Sequence, residues 1–379
     1  MQQNARMDRE KPQDVLLETI LVRWFNAIGS SQASSVPNRY ALAKWSDEFP
    51  GALVSEITAK KLRAFATGMT AAGLSDGYIR RTFAVGKRAL TWAHEEGMLD
   101  RAPFVKLPQE SDPRARAMTM NEAAWFLRAA REDLPHVRLY VALAFGTAAR
   151  PSSLLELKTW QQLDFEGKVI DLNPPGRKQN KKHRPSIPMA EFLVPFLIDL
   201  SPGYVVQFND KPLKSIRSAI ERVRARARTM IRRHAAAEVR RLWREDRDEG
   251  SRALASVKVA ADAMLTVSAY TLRHTVATEL RGRGVQPWEL SGFLGHSTGY
   301  RTTEGYAKNR PEHLRGVIRA VEAYWSDLGA LLGGEHLGPF VNQERASCVL
   351  PSHSPKGIKP LGYLVEPNGI EPLTSTMPL

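Results

Sequence analysis

The feature that most constrains the fold of this chain is a segment near residue 110, from Leu107-Pro108 through Asp112-Pro113. It has two prolines, polar neighbours and no hydrophobic periodicity, which is typical of a linker. At 379 residues the chain is long enough for two domains, each with its own core, and a tail. We therefore predict the following division: an N-terminal extension 1–14, a first domain 15–106, a linker 107–116, a second domain 117–330 and a disordered tail 331–379.

The first domain is predicted to be all helical. Leu62, Phe65 and Met69 share one face at helical spacing, and the apolar residues from Phe83 to Trp92 indicate another amphipathic helix. Basic side chains decorate both helices. Each basic residue alone is typical of a solvent-exposed helix face. Taken together, on a basic chain, they suit one of two domains that enclose a DNA duplex. They are Lys60, Lys61, Arg63, Arg80, Arg81, Lys87 and Arg88.

The second domain is predicted to combine helices with a small sheet. Thr119 and Glu122 form the Thr-x-x-Glu capping box of a first helix. Residues 168–172 have a strand pattern and Ser186-Ile187-Pro188 could be the returning strand. Residues 214–252 are strongly helical and rich in arginine, and they could form a helical pair over a DNA backbone or only solvate the surface. The predicted fold class is mainly α with a small β-sheet (α+β).

Charge and composition narrow the classes of partner. The chain has 54 Lys and Arg against 40 Asp and Glu, a formal net charge of +14, which favours a polyanion, with nucleic acid as first candidate. Its single cysteine, Cys348, excludes an intramolecular disulfide and fits a reducing cytosol. No apolar run approaches the roughly 18 residues of a membrane span, and the N-terminus lacks a signal-peptide core. We expect a soluble, cytoplasmic protein.

Four side chains, Arg150, Arg273, His296 and Tyr306, have the chemistry needed to cut a phosphodiester without a metal. Negative charge builds on the nonbridging oxygens during cleavage, and the 5′ oxygen is a poor leaving group. Fixed cations, a nucleophile and a proton donor are therefore required. Arginine suits the first task because its planar fork meets two phosphate oxygens and keeps its charge.

The local context of these residues resembles the tyrosine recombinase (phage integrase) family over residues 15–325. The resemblance rests on four motifs that follow one another in the order usual for the family. The sequence departs from the family pattern at three points. Ser153 replaces the usual glutamate, Tyr270 replaces the usual histidine, and Tyr306 follows His296 by ten positions instead of nine. The motifs are Thr147-Ala-Ala-Arg150-Pro-Ser-Ser-Leu154, Tyr270-Thr-Leu-Arg273-His274, Leu294-Gly-His296 and Thr302-Thr-Glu-Gly-Tyr306-Ala307.

The resemblance implies a role for each residue. Arg150, at the mouth of a helix opened by Pro151, and Arg273 would hold the scissile phosphate, helped by Tyr270, which can donate one hydrogen bond but carries no positive charge. With Tyr270 in that position we expect weakened catalysis; the alternative is a packed aromatic. Gly295, as a helix cap, would direct His296 into the cleft.

Two further roles leave alternatives open. Tyr306 is the expected nucleophile, with Tyr300 as its rival in the same loop. The general acid is expected to be a lysine of the basic hairpin loop 176–184. Alignment with the family selects Lys181, and Lys178 and Lys182 remain candidates.

The function implied is that of a metal-free, cofactor-free site-specific DNA recombinase (integrase) acting through a 3′-phosphotyrosine. The family pairs a helical core-binding (SAM-like) domain with the catalytic domain. Expected partners are double-stranded DNA at attachment sites, three further copies in a synaptic homotetramer and an accessory protein that sets direction, all in the nucleoid. Residues 310–328 would dock on a neighbouring copy. The alternatives are a catalytically impaired DNA-binding relative and a type IB topoisomerase.

Overall fold

The computed structural model describes residues 15–109, 116–179, 182–296 and 310–333. Contacts between α-carbons divide the chain into two units, Met1–Arg114 and Ala115–Leu379. The described residues are mainly helical with two small sheets, so the predicted fold class, mainly α with a small β-sheet, is confirmed.

The first unit is a helical bundle around one tryptophan. The predicted apolar face of Leu62, Phe65 and Met69 is buried in its core. Trp45 is fully buried, donates its ring N–H to the carbonyl oxygen of Thr82 at 3.0 Å, and contacts three phenylalanine rings. The helices are α1 (Leu17–Trp24), continued by a π-helical turn Phe25–Gly29, α2 (Ser35–Glu48), α3 (Ala59–Ala71) and α4 (Asp76–Glu95).

The start of the predicted linker lies on this unit. Val105 is buried in the first core and Leu107 packs against it. The Arg80 guanidinium donates to the carbonyl oxygen of Pro108 at 2.6 Å. The chain is thus held by the first unit up to Pro108, one residue before the described part stops at residue 109.

The second unit surrounds an apolar helix. Within α6 every residue from Leu139 to Thr147 is buried, so this helix forms the centre of the core. The capping box of Thr119 and Glu122 is present at the start of α5, as predicted. The helices are α5 (Met120–Arg131), α6 (Pro135–Thr147), α7 (Pro151–Leu155), α8 (Thr159–Gln162), α9 (Val194–Leu197), α10 (Arg217–Glu245), α11 (Arg247–Ala263), α12 (Ala269–Gly282), α13 (Pro287–Leu294) and α14 (Arg315–Leu331).

A three-stranded antiparallel sheet lies beside these helices. Its order is β1-β2-β3, with Ile170 opposite Ile187, and both isoleucines are buried. The two predicted strands are therefore confirmed as a hairpin. The strands are β1 (Leu163–Asp164), β2 (Val169–Asp171) and β3 (Ser186–Pro188), and a separate pair is β4 (Gln207–Phe208) with β5 (Lys211–Pro212).

The C-terminal helix α14 packs inside its own unit. The helical pattern over residues 310–328 is confirmed, but its apolar side chains are already used: Val317, Val321, Tyr324 and Leu328 are buried in the core of the second unit. Docking of this segment on a neighbouring copy stays a prediction, but it would not use this apolar face of the described helix. The amphipathic pattern of α14 indicates that one of its faces is buried, and that face packs against α5, α6, α12 and α13.

No single described helix is both long and apolar enough to cross a membrane. The bent pair Arg247–Thr266 and Ala269–Gly282 meets the length and composition requirement only when its two helices are taken together.

Candidate functional site

Arg150 lies at the junction between two helices. After α6 ends at Thr147, Ala148 adopts a left-handed conformation with φ 47°. Arg150 is then the N-cap of α7, with Pro151 in the first helical position, as the sequence predicted. The Thr147 hydroxyl donates to the Leu143 carbonyl oxygen at 2.7 Å and accepts from the backbone N–H of Ala149 at 3.1 Å. These bonds fix the turn that presents the arginine.

The Arg150 guanidinium bridges two distant segments. Its Nη1 donates to the carbonyl oxygen of His183 in the β2–β3 hairpin at 2.6 Å, and its Nη2 donates to the carbonyl oxygen of Gly295 at 3.2 Å. Both partners are neutral backbone groups. These two bonds hold the side chain in place without neutralising its charge.

Arg273 reaches the same place from α12. This helix begins with a capping box between Ser268 and Thr271. The Arg273 side chain is 7% exposed; its Nη1 donates to the carbonyl oxygen of Ala148 at 2.7 Å and its Nη2 to that of Leu294 at 2.8 Å. The structure therefore brings the two predicted arginines together at the turn after α6.

The two arginines form a cationic cluster. Among the residues that the structure describes, neither Arg150 nor Arg273 forms an ion pair with a carboxylate. Burial, reinforced by the charge of Arg150, lowers the pKa of Arg273 to about 10, and burial also lowers the pKa of Arg150. Both stay charged at neutral pH, so the cluster favours binding of an anion such as a phosphate.

His296 completes the described part of this cluster. Its Nε2 lies 3.0 Å from Nη2 of Arg273. Because a guanidinium can only donate, Nε2 accepts this bond, and the imidazole is neutral with its proton on Nδ1. Burial, followed by the charges of Arg273 and Arg150, lowers the pKa of His296 from its usual 6.5 and favours the same form.

Gly295 is the cap that turns His296 into the site. It has φ 63°, and the His296 N–H bonds the Ser291 carbonyl oxygen at 2.9 Å, which closes the last turn of α13. A Cβ at this position would lie 2.5 Å from the His183 carbonyl oxygen and 2.6 Å from Cδ of Pro185. Glycine is therefore required twice here, by the backbone conformation and by the close approach of the hairpin.

Tyr270 lies on the first turn of α12, three residues before Arg273. Its side chain is 55% exposed, so the packed-aromatic alternative is wrong. Its phenol lies near both Arg150 and Arg273. Tyr270 is thus open to solvent beside the cationic cluster.

The sequence analysis missed a buried arginine that joins the hairpin to α7. Arg184 is 7% exposed and forks onto Glu156, with distances of 2.6 and 3.1 Å, while also donating to the Ser152 hydroxyl at 3.4 Å. Ser153, where the family has a glutamate, is buried. Glu156 carries a carboxylate three residues later on the same short helix. The sequence shows opposite charges at Glu156 and Arg184, but it does not reveal that these two side chains, 28 residues apart, form an ion pair.

Part of the predicted site lies outside the described residues. This applies to Lys181, the expected general acid, to Tyr306, the expected nucleophile, and to its rival Tyr300. Lys178 and Lys182, which flank the undescribed pair 180–181, are exposed. Among the described residues no group of three or more His, Cys, Asp or Glu side chains could hold a metal ion.

Comparisons with known proteins place this arrangement in context. The sequence profile described as the Phage integrase family matches residues 116–313. The integrase of Salmonella phage P22 is 36% identical over 83 residues, 22% of this chain and 20% of that protein. Tyrosine recombinase XerA of Pyrococcus furiosus is 24% identical over 260 residues, 68% of this chain and 79% of that protein. The chain thus spans one fifth of the first relative and about four fifths of the second.

Solved structures share the fold at low sequence identity. The Tn1549 transposon integrase in complex with circular intermediate DNA aligns with a TM-score of 0.55 and 18% identity, covering 79% of this chain and 98% of that one. A lambda integrase dimer bound to a COC′ core site aligns with a TM-score of 0.53 and 17% identity, covering 78% and 80%. At such identities the similarity is one of fold.

Proposed function

The chain belongs to the phage integrase family, and from this premise we propose that it is a site-specific DNA recombinase acting through a 3′-phosphotyrosine. The observation that carries the proposal is the cluster of Arg150, Arg273 and His296. Three segments far apart in the sequence meet there, and among the described residues neither the half-buried Arg150 guanidinium nor the buried Arg273 guanidinium is paired with a carboxylate. Such a cluster stabilises an anion, as the transition state of phosphodiester cleavage requires.

In this proposal the arginines hold the scissile phosphate. Backbone carbonyls occupy two N–H groups of Arg150 and two of Arg273, and a guanidinium has five, so donors remain for phosphate oxygens. His296, held neutral, orients Arg273 and can bond the phosphate through Nδ1–H. Tyr270 contributes one hydroxyl donor without positive charge, so it compensates less of the developing charge than a cationic side chain would.

The bond changes follow from this arrangement. The Tyr306 hydroxyl gives up its proton to solvent as its oxygen attacks phosphorus, the bond to the 5′ oxygen breaks, and Lys181 donates the proton that the departing oxygen needs. The covalent 3′-phosphotyrosine keeps the energy of the broken bond. A 5′ hydroxyl from another strand can then attack it, and rejoining needs neither ATP nor a metal.

The proposed assembly has each copy clamp DNA between its helical core-binding domain, residues 15–106, and its catalytic domain, residues 117–330. Four copies on two duplexes form the synaptic complex, with an accessory protein setting direction, in the cytoplasm at the nucleoid. Structures of lambda integrase as a dimer on a core site and as a tetramer on a Holliday junction support this assembly by analogy of fold.

The test is covalent trapping. Purified protein is mixed in EDTA with nicked, labelled DNA from the ends of its host element, and an SDS-resistant complex is expected that Tyr306→Phe abolishes and Tyr300→Phe leaves intact. Survival of the complex in Tyr306→Phe would refute the assignment of the nucleophile. Lys181→Ala should slow cleavage of ordinary DNA, because the 5′ oxygen needs a proton to leave. The same substitution should not slow cleavage of DNA in which sulfur replaces that 5′ oxygen, because a thiolate leaves without a proton.

One other function has a specific observation in its favour. Tyr270 and Ser153 replace the two side chains that the family usually has at these positions, as in a relative that binds DNA without cutting it. Salt-sensitive binding to the same DNA with no covalent complex at any protein concentration would favour this DNA-binding relative.

A further inference from the structure

The arginine-rich segment of the second unit forms a helical pair that extends from the core. Helix α10 has 29 residues, yet its buried residues all lie in the first half, from Ala219 to Ile231. The buried residues of α11 are Gly250, against Trp243 of α10, and Ala261 near the far end. Residues 232–258 therefore pack mainly against each other, and the remaining surface of the pair is open to solvent.

The arginines in the first half of α10 are structural. Arg222 and Arg226 both bind Asp133, whose side chain is buried. Arg228 and Arg232 both bind Asp262 on α11. In each case the guanidinium groups surround one carboxylate and attach the pair to the core or close it on itself.

Three arginines further along α10 have no such partner. Arg233, Arg240 and Arg244 are exposed, and none forms an ion pair or hydrogen bond with any of the residues that the structure describes. Spacings of seven and eleven residues put them within about 40° of one another around the helix, over about 16 Å of its length. We call this row the arginine stripe.

Three acids near the stripe are engaged elsewhere. Arg241, adjacent in sequence but on another face, binds both Glu238 and Glu245. Asp246 caps α11 by accepting from two backbone N–H groups. Like charges four residues apart, as at Arg240 and Arg244, destabilise a helix. A helix that neutralises its other arginines and leaves one row unpaired has a surface suited to an extended polyanion.

We propose that the arginine stripe binds the phosphate backbone of duplex DNA, as a contact separate from the strand-cutting cluster. The inference rests on the proposed function for the identity of the polyanion. Three permanently charged forks in a row along a helix fit successive phosphates, and the net charge of +14 favours the same partner. The contact positions the duplex and carries no base specificity.

The test uses a pair of neighbouring residues. Affinity of the full chain for labelled duplex is measured by fluorescence anisotropy between 50 and 300 mM salt, for wild type, Arg240→Gln and Arg241→Gln. Both variants lose one exposed positive charge, but only Arg240 is unpaired in the structure. We expect Arg240→Gln to reduce the slope of log K against log salt by about 0.9 and the triple variant R233Q/R240Q/R244Q by about 2.7. Arg241→Gln should leave the slope unchanged, and the triple Lys variant should retain it.

Three results would overturn the proposal. An unchanged slope in the triple variant would exclude the contact. An equal loss in Arg241→Gln would show that only the general field of the protein matters. A triple variant that changes its oligomeric state by sedimentation, but not its slope on DNA, would assign the stripe to a second copy of the chain. Far-ultraviolet circular dichroism checks that the helix content of the variants is unchanged, as expected because arginine and glutamine have similar helix propensities.

This outcome is independent of whether the chain cuts DNA. If wild type forms no covalent complex, the proposed function fails, while the salt slopes still decide whether the stripe binds duplex. If the covalent complex forms and the slopes are unchanged, only the stripe proposal fails.

Discussion

Gly295→Ala should damage the second unit more than the same change at Gly284, although the two glycines have the same local role. Each ends a helix in the left-handed conformation, with φ 63° at Gly295 and 81° at Gly284. Each is followed by a residue whose N–H returns to the last turn of the helix, at 2.9 Å and 3.1 Å. An alanine in this conformation costs about 1–2 kcal/mol at either position.

The surroundings of the two glycines differ. A Cβ on Gly284 would have nothing within 4 Å, whereas one on Gly295 would be 2.5 Å from a backbone oxygen of the hairpin and must displace it. Overpacking of this kind costs about 1–3 kcal/mol more. We therefore expect urea unfolding to show a loss of about 1–2 kcal/mol for Gly284→Ala and about 2–5 kcal/mol for Gly295→Ala.

The same displacement should affect function selectively. The hairpin oxygen is that of His183, which anchors Arg150, and the second anchor of Arg150 is the carbonyl oxygen of Gly295 itself. At a temperature where both variants are folded, we expect Gly295→Ala to slow covalent-complex formation and Gly284→Ala to match wild type. Equal losses of stability and equal cleavage rates in the two variants would refute the argument that the hairpin packs tightly on this glycine.

Three further predictions concern the site. Glu156→Gln removes the charge opposite buried Arg184, and because Glu156 is itself 47% exposed we expect a loss of about 1–3 kcal/mol in urea unfolding; no loss would mean that the fork is not maintained in solution. Folding lowers the pKa of His296 below 6.5. The neutral imidazole therefore makes its full contribution to the free energy of unfolding above pH 6.5, and this contribution is lost as the pH falls through the lowered pKa. His296→Gln should therefore flatten the decline of stability between pH 7 and 5, and an identical decline would contradict this. Tyr270→His should raise the single-turnover cleavage rate by about tenfold, because it restores a side chain able to carry positive charge, and a slower variant would show that the tyrosine is itself required.

The sequence predicted best those parts of the site that depend on local backbone chemistry. Pro151 after Arg150 indicated a helix start, and Gly295 after Leu294 indicated a helix end; both are where the structure has them. Such signals work because proline and glycine restrict or extend the backbone independently of the rest of the fold.

Contacts between distant segments could not be predicted in the same way. The fork of Arg184 on Glu156 depends on the register of a hairpin against a short helix, and no pattern in either segment specifies it. The amphipathic pattern of α14 predicted a covered face correctly, but it could not show that this face is covered inside the second unit, because periodicity shows that a face is buried and not what buries it. The hydrogen bonds from Arg150 to the carbonyl oxygens of His183 and Gly295 are also contacts between distant segments, and no local pattern predicts them.

The anchoring of Arg273 also has a consequence for biosynthesis. Its two carbonyl partners, on Ala148 and Leu294, lie 125 residues before it and 21 residues after it. A nascent chain on the ribosome carries Arg150 and Ala148 long before Leu294 is made, and until Leu294 emerges Arg273 lacks its second carbonyl partner. Under the proposed function, unfinished and early-terminated chains can bind DNA through their positive charge, but they cannot cleave it because the site is incomplete.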